Sequence, residues 1–136
     1  MGQQQLLLIV LGVIIVGIAV VVGINVFTAS SMNSNRDAVI ADLTTLAAMA
    51  QQHYRKPAAM GGGQNSFSTD NGGTAWSVPA SLVKTANMSA DVDATVADQT
   101  VTLVGYGTET GTDGAAVVQV TMVVGKNSIT STTIDN

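Results

Sequence analysis

The chain contains no cysteine. Its absence excludes disulfides, iron–sulfur ligation, c-type haem attachment and thiol chemistry, and leaves the folded part to stand on its core and its neighbours. Charge is also scarce: five Lys and Arg face nine Asp and Glu, for a net charge of −4 in 136 residues. The cations are Arg36, Arg55, Lys56, Lys84 and Lys126, and only Arg55 and Lys56 are adjacent. Phosphate binding needs clustered Lys and Arg, so no nucleic-acid partner is expected. Glu109 is the only glutamate and lies in a Gly/Thr loop, and His53 is the only histidine, with no carboxylate cluster near it in sequence. No G-x-S-x-G, P-loop or zinc pattern occurs. Gly61, Gly62 and Gly63 follow a helical stretch instead of joining a strand to a helix, so they read as a chain break and not as a phosphate cradle. The expectation is a protein that is not an enzyme and uses no cofactor or metal. Phe27, Tyr54, Phe67, Trp76 and Tyr106 are too scattered to form a conducting path.

What the chain does have is one long apolar run. Leu6 to Val26 carries no charged residue, and the first charged side chain is Arg36. A bilayer core takes about 20 apolar residues as helix. Many of the residues are β-branched and weakly favour strand in water, but in lipid the helix wins because every backbone group must be bonded internally. A cleaved secretory signal fits poorly. Met1 to Gln5 has no side-chain charge, the run is long, and no Ala-x-Ala site follows. A plain single-pass anchor often stops at an aromatic or basic cluster. Here the segment continues through Asn25 to Asn35 into a second helical pattern. Gly12, Gly17, Ala19 and Gly23 punctuate the run and permit close approach of other helices, although Gly12 and Gly17 facing lipid would be neutral.

Ser34 or Asn35 can cap a helix beginning at Arg36. Val39, Leu43, Leu46, Ala50 and Tyr54 then recur at helical spacing, and Pro57 with the three glycines stops the pattern. Asp37 and Asp42 near its start and Arg55 and Lys56 near its end suit the helix dipole. If both segments form one rod of about 50 residues, it spans roughly 75 Å. Only the second half has a polar face. The first half, apolar all round, needs lipid or other copies to cover it.

Over about the first 55 residues this pattern resembles the type IV pilin family: an uncharged start rich in Leu, Ile, Val and Gly, then an amphipathic continuation. The resemblance implies a structural subunit that waits in the inner membrane, is processed by prepilin peptidase after a leader ending in Gly, and is methylated at the new N-terminus. The pilus assembly machinery then builds it into a helical homo-oligomeric filament at the cell surface. It assigns subunit packing to Leu6, Leu7, Ile9, Val10, Gly12, Val13, Ile14, Gly17, Ile18 and Val21. It assigns N-terminal docking to Met1, Gln3, Gln4 and Gln5. Two departures stand out. With Met1 as the first mature residue, Gln5 replaces the family's usual Glu, so docking would rest on amide hydrogen bonds; cleavage after Gly2 is the other reading. In place of the family's common Pro near position 22, Gly23 and Asn25 supply helix flexibility, both being weak helix formers. A pseudopilin or minor pilin of a secretion or DNA-uptake machine, and a single-pass membrane-anchored surface-binding domain, are the alternative readings.

The whole chain is expected to divide into 1–35 (apolar anchor or core helix), 36–57 (amphipathic second half of the helix), 58–99 (connecting loop region) and 100–136 (antiparallel meander). In the third part, Phe67 and Trp76 are expected to plug a polar loop. Asp70 to Gly73 reads as a turn and lacks the spaced carboxylates of a calcium loop. Val78 to Val83 reads as a short extended or turn segment, and Asp91 to Asp98 as a solvated loop or edge. Strands are expected at Thr100–Tyr106, Ala115–Val124 and Ser128–Ile134, with Gly125 to Asn127 as a tight connection. The fold class is α+β: a long N-terminal helix, its apolar first half protruding, packed on a three- to four-stranded antiparallel sheet. Thr and Ser face outward and offer sites for glycosylation, and Asn87-Met88-Ser89 forms an N-glycosylation sequon.

Overall fold

The computed structural model describes residues 2–136. A single helix, α1 (Gly2–Arg55), accounts for the first part of the chain and is about 80 Å long. It runs without interruption through Gly23 and Asn25. No proline lies within it, and helix propagation across one or two weak formers costs only about 1 kcal/mol each. The separate helix start expected at Ser34 or Asn35 therefore does not form. Those residues sit in mid-helix, where their backbone groups are already bonded.

Pro57 ends α1 two residues after Arg55, since it has no N–H and disfavours helical backbone at Lys56. After a single 3-10 turn, Ala58–Met60, the chain doubles back to close the helix end. Gly63 N–H donates to His53 O at 2.9 Å and Asn65 N–H to Tyr54 O at 2.8 Å. Gln64 and Asn65 take left-handed backbone, with φ of 53° and 64°, to make this reversal.

Four strands follow: β1 (Asp93–Val96), β2 (Thr100–Thr110), β3 (Val117–Gly125) and β4 (Ile129–Ile134). They form one antiparallel sheet in the order β1-β2-β3-β4. The fold is thus α+β, a long apolar N-terminal helix packed on a four-stranded antiparallel sheet. β1 lies in the stretch read as a loop or edge, and it is an edge strand. β2 extends four residues beyond the expected Tyr106. Gly125 N–H donates to Ser128 O at 2.8 Å and closes the last hairpin.

The core follows from strand alternation. Val101 and Leu103 of β2 and Val118, Val120, Met122 and Val124 of β3 point to one face, and Val39, Leu43, Leu46, Ala47, Ala50 and Tyr54 of α1 cover it. The whole helical stripe expected from the sequence is buried, with Ala47 added. Phe67 and Trp76 fill the space beneath the returning loop, and the Phe67 ring lies 4.8 Å from that of Tyr54. α1 packs on β2 and β3, and every side chain of β4 is exposed. The folded part forms a head on the second half of α1.

Candidate assembly surface

The exposed half of α1 is the largest unpartnered feature of the molecule. Every large apolar side chain from Leu6 to Val26 is more than half exposed, and Phe27 is 75% exposed, whereas Val39 and Leu43 of the same helix are fully buried. This stretch is long and apolar enough to cross a membrane. All ten residues assigned to subunit packing lie on it and none touches the head. Gln3, Gln4 and Gln5 are exposed on the first turns; Met1 lies outside the described residues. Gly12, Gly17 and Gly23 have no role within the chain, because a Cβ at any of them would meet nothing within 4 Å. Each costs about 1 kcal/mol of helix propensity relative to Ala. No contact within the chain needs their small size.

Where α1 reaches the head, Asn35 takes the place of a missing ladder. The β2–β3 register slips between Tyr106 and Thr110, which leaves backbone N–H groups of β2 without β3 partners. Asn35 Oδ1 accepts from Thr108 N–H at 3.0 Å and from Glu109 N–H at 3.3 Å, and its Nδ2 donates to Asn87 O at 3.0 Å. Gly107 makes this possible, since a Cβ there would collide with Asn35 Oδ1. One helical turn further on, Gly105 lets Val39 and Leu43 lie against the strand backbone. Arg36 ties the β2–β3 loop and the last residue to α1. Its guanidinium donates to Thr112 Oγ1 at 3.0 Å and Asn136 O at 3.4 Å.

Asp42 anchors the long connection before β1. Its Oδ2 accepts from Thr85 Oγ1 at 2.6 Å and from Asn87 Nδ2 at 3.1 Å. The sequon asparagine is therefore half-buried and its amide is already engaged. At the far end of the head, Gln51 Nε2 donates to Gly125 O at 3.2 Å and Tyr54 OH to Gln99 Oε1 at 2.9 Å. His53 Nε2 lies 2.6 Å from Thr74 O, a packing role under the returning loop.

The carboxylates are held by neutral donors. Asp113 Oδ1 accepts from the backbone N–H groups of Ala115 at 2.9 Å and Ala116 at 3.0 Å, and from Asn136 Nδ2 at 3.0 Å. Those bonds, the two backbone ones foremost, hold its pKa below the ordinary 3.8. Tyr106 OH donates to Asp93 Oδ2 at 2.8 Å, and that bond raises the phenol above its ordinary 10.0. Among the described residues no group of His, Asp and Glu converges as metal ligands. A cleft of about 330 Å³ opens between the bare helix and the near end of the head, lined by Phe27, Ser30, Ser34, Asn87 and Glu109 among others.

Sequence reasoning found the helical stripe and the bare segment but missed Asn35, Gly105, Gly107 and Asp42 as the residues that dock helix to sheet. One signal was available: two glycines two apart inside an alternating strand mark a close backbone approach. Comparison of the chain with protein-family models, with curated proteins and with solved structures finds no match. The pilin resemblance therefore rests on the residues themselves.

Proposed function

We propose that this protein is the subunit of a type IV pilus-like filament, held in the inner membrane by Leu6 to Val26 before assembly and packed by the same segment at the filament axis afterwards. One observation carries the reading: α1 is a single helix buried along one stripe in its second half and bare on every side in its first. Full burial of a Val, Leu or Ile side chain contributes about 1.5–3 kcal/mol. Covering the bare segment is thus worth on the order of tens of kcal/mol before the costs of ordering. Lipid supplies that cover for one chain. Parallel copies supply it for many, and the unbroken helix would then hold each head outside the bundle. Gly12, Gly17 and Gly23, which serve no contact inside the chain, are suited to close helix approach in such a bundle. Processing by prepilin peptidase, with Gln3, Gln4 and Gln5 docking through amide bonds, belongs to the same proposal.

Electron microscopy of sheared cell-surface material, with the fibres identified by an antibody to the head, tests it. Abundant uniform fibres containing this chain are expected. Label confined to sparse fibre tips would make it a minor subunit, and label retained in the membrane with no fibres would make it an anchored surface domain.

A further inference from the structure

We infer that the two ends of the head are complementary charged faces through which one copy stacks on the next along the filament. This rests on the filament reading above and specifies the contact between heads.

The contacts across the helix–sheet seam define the ends. Asn35 meets Thr108 and Arg36 meets Thr112 at the inner end, next to the bare helix. Gln51 meets Gly125 and Tyr54 meets Gln99 at the outer end. Asp37, Glu109 and Asp113 lie at the inner end beside Arg36, and Asp135 sits further along, bonded to Thr121 in the middle of β3. Arg55, Lys56 and the hairpin residue Lys126 are exposed at the outer end. Asp98 and Asp70 are also there and keep their charge, since only neutral donors hold them, so the outer end has three cations against two carboxylates.

Among the described residues no ion pair between side chains cancels these charges. Arg36 donates to Asn33, Thr112 and Asn136, none of them a carboxylate side chain. Asp113 is held by backbone N–H groups and Asn136, and Asp135 by Thr121 Oγ1. The inner end, with three carboxylates and one cation, is thus net negative, and the outer end, with three cations and two carboxylates, is net positive.

Parallel copies with their bare halves side by side can be offset only along the axis. Each offset brings the outer end of one head toward the inner end of another. That contact is heterologous and head-to-tail, which propagates instead of closing. An antiparallel pair with its bare halves overlapped would set the two heads at opposite ends of the overlap, where neither charged face meets another. The occupant of each face is thus a second copy of this chain.

The test uses the full chain in cells that assemble it. Three variants are compared with the unmodified chain by filament yield after shearing: R55E/K56E/K126E at the outer end, D37K/E109K at the inner end, and both sets together. None of the five side chains is in the core. Thermal melting of each purified chain in detergent verifies that the head is folded, and Lys126→Glu alone, on an exposed hairpin, serves if the triple variant melts early. Each single-ended reversal is expected to lower the yield at least tenfold near physiological salt, and the combined reversal to restore it to within about threefold. Filaments from the unmodified chain together with indifference to either reversal, or no rescue by the combination, would overturn the stacking contact alone. No filaments from the unmodified chain would overturn the filament reading and this inference with it.

Discussion

At the scale of single residues, the head depends on atoms that are missing as much as on atoms that are present. A Cβ on Gly105 would come within 2.8 Å of Val39 Cγ1 and 3.3 Å of the Leu43 methyls. Val39 is fully buried and its β-branch is stiff, so it has no free space to move into. Gly105→Ala is expected to destabilise the head by about 1–3 kcal/mol, the usual cost of overpacking, measured by denaturant melting in detergent. Asn35→Ala strands two strand N–H groups and an Asn87 carbonyl. It is expected to cost about 1–3 kcal/mol, and an unchanged melting midpoint would remove Asn35 from the docking seam. Asp113 gives a pH signature. Its pKa is lowered in the folded state, so its contribution is full above the ordinary 3.8 and is lost as pH falls through the lowered folded value. The stability gap between the unmodified chain and Asp113→Asn should therefore shrink as pH falls below that range.

At the scale of elements, α1 is two environments on one backbone. Leu43→Ala leaves a cavity between helix and sheet and is expected to cost about 2–5 kcal/mol. Leu11→Ala, on the bare half, should leave head melting unchanged in the same assay. Equal losses from both would mean that the bare half contributes to the head. Periodicity made this division legible in advance. Val39, Leu43, Leu46, Ala50 and Tyr54 repeat at helical spacing because one side of the helix must be apolar, and Pro57 leaves no ambiguity about where the helix stops. β2 and β3 were legible for the same reason, since their alternation reports one buried face. Ser34 and Asn35 carry the chemistry of a cap, but a cap acts only where a helix begins. Nothing local tells an asparagine whether its partner is its own helix or a strand N–H more than 70 residues away. β1 was harder still. It is four residues long with mostly exposed side chains, so it has no hydrophobic pattern to display. The closely approached glycines of the returning loop were likewise hidden: a Cβ on Gly73 would stand 2.6 Å from Gly62 O, a contact only the folded chain reveals.

For the whole molecule, the decisive quantity is the uncovered surface of α1. A charge placed in its middle would be buried in either bilayer or bundle, and an unpaired buried charge is strongly disfavoured. Gly12→Lys is expected to lower filament assembly at least tenfold while leaving the melting of the head unaffected. Unchanged fibre yield by electron microscopy would sink the axial role of this segment.

The absence of any linker between the bare half and the head has a geometric consequence of its own. Because α1 is one unbroken helix, the azimuth of the head is locked to the residue count. Each residue inserted near Thr28 turns the head by about 100° and advances it by about 1.5 Å. In the proposed filament one inserted alanine would thus aim the head at a wrong neighbour, although it adds no bulk and changes no contact within the chain. Seven inserted alanines return it to within about 20° of its original phase. Tolerance of insertions should therefore oscillate with the helical period instead of falling steadily with length.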